Sequence, residues 1–81
     1  MARYFFDLSS AGAFSRDEEG VNLPSAESAH DLAIDLLFDA ARDDVVEGSI
    51  GQRIAIEVRN GIGPVLELVA VFDSRISKAK L

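Results

Sequence analysis

The segment near residues 25–47 constrains this chain most, because its apolar residues recur at helical spacing between two runs that alternate like strands. At about 100° per residue, Ala26, Ala29, Ala33, Leu36, Leu37 and Ala40 share one face. Ser28, Asp31, Asp35, Asp39 and Arg42 share the opposite one. Ser25 supplies an N-cap hydroxyl, and Glu27 puts an anion in the first turn, where the helix dipole favours it. The helix is predicted over about 26–47, with Gly48 as the residue after its end. Alanines on the inward face imply close approach to a sheet. Beside that face, Ile34, Phe38, Ala41 and Val45 form a second apolar stripe. It reads either as wide contact with the domain's own sheet or as a protein contact, since large exposed apolar patches are uncommon on monomers.

Strands are predicted on both sides. Over 3–8, Tyr4, Phe6 and Leu8 alternate with Arg3, Phe5 and Asp7. A small polar turn leads to a short strand at 13–16, with Phe14 as its inward residue. Residues 17–24 read as a turn and an extended approach to the helix, with Gly20 free to take positive φ and Pro24 holding Leu23 extended. After the helix, 52–59 alternates Ile54, Ile56 and Val58 against Arg53, Ala55, Glu57 and Arg59. Asn60-Gly61 signals a hairpin, which Gly63-Pro64 can lengthen. The last strand, 65–72, is apolar on both faces except at Glu67.

These elements predict one domain over 1–81, an α+β fold of order β-β-α-β-β. A four-stranded, mainly antiparallel sheet carries one helix on one face. Numbering the predicted strands along the chain, the two-sided apolarity of the fourth argues for a central place and the order 2-1-4-3. The alternative, 2-1-3-4, leaves it as an apolar edge open to a second subunit. Either order predicts a homodimer that covers the second face through Val65, Val69 and Val71 with Phe5.

Composition narrows the function classes. Eighty-one residues make one small domain, and a chain of this size buries only about 60–65% of its unfolded surface. There is no cysteine, which excludes disulfide staples and cysteine zinc sites and fits a reducing compartment. No signal peptide or membrane span is expected. The net charge of −6 disfavours phosphate backbones, so direct nucleic-acid binding is not expected.

Individual constellations point to no chemistry. His30 is the only histidine, without the partners of a zinc site or a catalytic base, and reads as exposed. Asp17-Glu18-Glu19 lacks calcium-loop spacing and reads as a solvated turn pairing with Arg16 or Arg3. Gly61 to Pro64 links strands and is no phosphate loop. Asp31, Asp35 and Asp39 form an acidic stripe, either a solvated face or a docking surface for a basic partner. The tail from Arg75 to Lys80 reads as a frayed basic end. Neither an enzyme nor a cofactor is expected.

Arg3-Tyr4-Phe5-Phe6-Asp7, then Arg16-Asp17-Glu18-Glu19-Gly20, then Leu23-Pro24 before an alanine-rich helix, resembles a family of short bacterial proteins classed as a domain of unknown function. The match is close in the first half and looser after the helix. Members commonly carry an acidic residue where this chain has Ser25. The resemblance implies a bacterial, cytoplasmic protein and no particular activity. A weaker, fold-level resemblance is to HicB-like antitoxin domains, though the DNA-binding appendage these usually carry is missing here. The expected function is a non-enzymatic, homodimeric protein-interaction module. The alternative is an antitoxin-like or regulatory domain of a nucleic-acid-linked system.

Overall fold

This computed structural model of the protein describes residues 1–10, 12–46 and 53–71, with the side chains of 43–46 left aside. Its elements run β1 (Ala2–Ser10), β2 (Ala13–Ser15), β3 (Val21–Leu23), α1 (Ala26–Val46), β4 (Arg53–Arg59) and β5 (Pro64–Val71). The class is α+β, as expected: one helix on an antiparallel sheet. The sheet has five strands, because β3 forms in the segment read only as an extended approach. Gln52, Phe72, Glu47, Gly48 and the basic tail fall outside the described residues.

The strand order is β2-β1-β4-β5, with β3 also on β1. This corrects the expected order 2-1-4-3 in favour of its alternative. The central strand is β4, whose Ile54, Ile56 and Val58 are fully buried, and β5 stands beyond it. Apolarity on both sides of β5 therefore does not mark a central strand. Its core side is covered, while Val69 and Val71 stay exposed on the other.

Register explains the core. Phe6 pairs with Val58 and Leu8 with Ile56, and these pair onward with Leu66 and Leu68. All six point toward α1, because directly opposed residues share a sheet face. The helix answers with Ala29, Ala33 and Ala41, all buried, and with half-buried Leu37. The seam therefore follows an i, i+4, i+8, i+12 line. Leu36, expected on it, is 37% exposed.

The helix starts where its cap dictates. The Ser28 N–H donates to Ser25 Oγ at 3.2 Å, and the Ala29 N–H closes the first turn on the Ser25 carbonyl. The hairpin between β4 and β5 closes differently from the Asn-Gly expectation. Neither Gly61 nor Gly63 takes positive φ. The Asn60 N–H donates to the Gly63 carbonyl at 3.0 Å, and Asn60 Oδ1 accepts the N–H groups of Ile62 (2.8 Å) and Gly63 (3.0 Å), so backbone and side chain close the turn together.

Two side chains sit opposite to expectation. Phe14 pairs with Ser9, which faces away from the helix, and Phe14 is 63% exposed. Val65 lies at a register shift opposite Val58 and Arg59 and packs on the core cluster instead of lining the second face. A bulge of this kind re-aims a side chain.

Candidate functional site

Three regions of the surface are candidates. They are a charged node on the sheet face away from α1, a groove beside α1, and the edge of the sheet at β5.

The node joins residues of the segments 3–7 and 16–20 to Arg59 at the end of β4. Asp7 points away from the helix yet is only 4% exposed. Arg59, brought near by the β1–β4 register, donates from Nε to Asp7 Oδ2 at 2.8 Å and from Nη2 to the Asp17 carbonyl at 2.7 Å. The Asp17 N–H donates to Asp7 Oδ1 at 2.9 Å. The Arg59 guanidinium also lies over the Phe5 ring, 4.5 Å from its centre, where the ring quadrupole attracts a cation.

Asp17 is not a solvated residue, contrary to the sequence reading. Its Oδ2 accepts the Phe6 N–H at 3.1 Å, and its Oδ1 accepts those of Glu19 and Gly20, each at 3.1 Å. The carboxylate thus stands in for a strand along β1, between the stretch paired by β2 and the stretch paired by β3. Arg3 braces the same loop by donating to the Glu19 carbonyl at 2.7 Å and to Asn22 Oδ1 at 3.3 Å. The sequence does carry a signal for this. Asp17 and Gly20 stand three apart, as Asp at the first and Gly at the fourth position of a tight turn.

The electrostatics follow from the geometry. Burial pushes both carboxyls up, but their hydrogen bonds and neighbouring charges outweigh it. For Asp7 these are the Arg59 hydrogen bond, the Asp17 N–H and the charges of Arg59 and Arg16; its pKa lies below the ordinary aspartate value. For Asp17 they are the N–H groups of Gly20, Phe6 and Glu19, and the Arg59 charge; its pKa is lowered too. Both groups bind protons more weakly folded than unfolded. Their stabilisation is therefore complete above the unfolded pKa and is lost as pH falls through the native values. A urea titration should give a flat midpoint from about pH 7 to about pH 5 and a falling one below about pH 4. Asp17→Asn should flatten that fall. An equal acid dependence in the variant and the parent would show that the node plays no part in it.

The groove arises from where the helix sits. α1 lies over β4 and β5 and touches β1 less. A helix with its side chains is about 10–12 Å wide and strands are about 4.8 Å apart, so one helix covers about two strands. Among the described residues the helix-facing side of β1 is thus left partly open. A groove of about 650 Å³ runs there, floored by Phe6, Leu8 and Ile56 and walled by Leu36 and Ala40. Glu18, Glu19 and Asp39 stand on its rim with Arg16.

The third region is the sheet edge at β5. Ile34 and Phe38 lie on the helix flank away from the groove, and hence toward β5. Ile34 is half-buried and Phe38 is 63% exposed. Val69 and Val71 are exposed on the adjoining strand.

The expected interface residues therefore part company. Phe5 packs beneath Arg59 and against Gly20, and Val65 joins the core side. The Val45 side chain lies outside the described residues. Phe38 on the helix, and Val69 and Val71 on the sheet face away from it, remain exposed. Of the acidic stripe, Asp31 and Asp35 are exposed, and Asp39 borders the groove, 3.9 Å from exposed Arg42. His30 is exposed, 3.7 Å from Asp31. Among the described residues no buried side-chain nitrogen or oxygen lacks a partner, and no helix is long and apolar enough to cross a membrane.

Comparison with known proteins gives a family and no activity. The profile of the family described as "Domain of unknown function (DUF6894)" matches residues 3–71. No curated protein and no solved structure matches the chain.

Proposed function

The chain belongs to the DUF6894 family, a domain of unknown function, and we propose that it is a non-enzymatic protein-interaction module that pairs with a second copy of itself along β5. The observation that carries this reading is that apolar side chains stay exposed on both layers beside β5, Phe38 on the helix flank and Val69 and Val71 on the sheet face away from the helix. Large exposed apolar side chains that flank an edge strand on both faces suit a partner strand that brings its own two layers. An eight-residue edge strand offers its outer backbone groups for pairing.

Edge pairing suits the charges better than stacking of the open faces. Glu57 stands directly opposite Glu67 and beside Asp7 across that face. Burying this row against its own copy would desolvate like charges. Antiparallel pairing about Val69 instead puts Glu67 opposite Val71 of the second copy. Support for a non-enzymatic role comes from the node, whose Asp7, Asp17 and Arg59 are engaged with one another and with backbone groups. We place the module in the bacterial cytoplasm, a setting consistent with the absence of cysteine.

Light scattering at tens of micromolar is expected to give twice the chain mass. Val69→Lys combined with Phe38→Ser should give the single-chain mass with an unchanged circular dichroism spectrum, because both positions are already exposed. A monomeric parent protein would sink the dimer.

A further inference from the structure

We propose that the groove between α1 and β1 is the seat of a basic amphipathic helix from a partner protein. The inference rests on the reading of the domain as an interaction module, but not on its pairing along β5.

Sheet faces of this kind are covered by helices, and among the described residues α1 covers chiefly the β4–β5 half. What remains over β1 is a trough with an apolar floor beside a helix, the setting in which a second helix packs against the first. Phe6 and Leu8 are only partly buried there, and Leu36 is exposed on the wall. A peptide strand is a poorer occupant. The backbone of β1 is already paired by β4 on one side and by β2, Asp17 and β3 on the other. The trough therefore offers side chains, not ladder groups, and an amphipathic helix docks through side chains.

Charge identifies the helix further. Glu18 and Glu19 stand on one wall and Asp39 on the other, with exposed Asp35 one turn before it. Arg16 is the cation on the rim. Asp17 also lines the groove, but its carboxylate is held by three backbone N–H groups. An occupant with leucine-like residues inward and lysine or arginine at its flanks meets both features. An acidic helix would meet repulsion from both walls.

The test uses the full chain and a synthetic fourteen-residue helix of leucine and lysine, with the leucines at i, i+3, i+4 and i+7 spacing, and a glutamate-for-lysine twin. Fluorescence anisotropy should show binding of the lysine peptide, and amide NMR should place the shifts at Phe6, Leu8, Leu36 and Ala40. The glutamate twin should not bind. Leu36→Gln leaves the charge unchanged and should weaken binding at least tenfold; Glu18→Lys with Glu19→Lys should do the same. The Val69→Lys, Phe38→Ser variant should bind like the parent, whatever its oligomeric state. Binding that ignores Leu36→Gln reports charge alone and overturns the proposal, as do shifts confined to β5 or the absence of binding.

Discussion

Asp7→Ala is expected to remove a large share of the domain's stability. The substitution strands an Arg59 guanidinium that is 19% exposed, and it removes the acceptor of the Asp17 N–H. Removing one partner of a buried charge pair costs about 3–5 kcal/mol, because the other charge stays desolvated. A domain of this size has a net stability of only about 4–12 kcal/mol. The melting temperature should therefore fall by at least about 12 °C. Thermal unfolding followed by circular dichroism measures this directly, and a loss under about 1 kcal/mol would refute the account. Adding Arg59→Met to Asp7→Ala should recover part of the loss, since no charge is then stranded.

The second large effect is expected at Gly20. It takes φ +73°, and a Cβ there would lie 2.9 Å from Cε1 of Phe5 and 2.9 Å from the Tyr4 carbonyl oxygen. The carbonyl is main chain in a paired strand, and the ring is held under Arg59, so neither yields easily. Gly20→Ala adds the left-handed cost of about 1–2 kcal/mol to an overpacking cost of about 1–3 kcal/mol. Gly12 provides the control. Its φ is +79°, but nothing lies within 4 Å of the added carbon. Gly12→Ala should carry the conformational cost alone. Urea denaturation of the two variants separates the terms; equal losses would mean that the Phe5 contact has no weight.

The parts of this fold that could be read from residues are those set by local periodicity. The helix, its Ser25 cap, and the alternation of β1 and β4 depend on neighbours within a few positions, and they stand as expected. Two-sided apolarity in β5 misled the strand order because it counts side chains and not which strand lies beyond. Phe14 and Val65 were assigned to the wrong faces for a related reason. One depends on the β1–β2 register and the other on a bulge, and a single extra residue inverts a period of two.

The candidate sites divide in the same way. Exposure of Phe38 follows from the helical wheel, so its flank was visible early. The Asp7–Arg59–Asp17 node joins residues up to 52 positions apart, and no local pattern announces such a pair. The groove was not legible at all, because it depends on which two strands the helix chooses to cover.

The two sides of the sheet differ in how they end. Beyond β1 the border is broken into β2 and β3, three residues each, with the Asp17 carboxylate between them. Neither fragment is long enough to template another chain. In the proposed pairing, two molecules joined at β5 about a twofold axis would present only these broken borders outward among the described residues, and growth of a ribbon or fibre would stop at the pair.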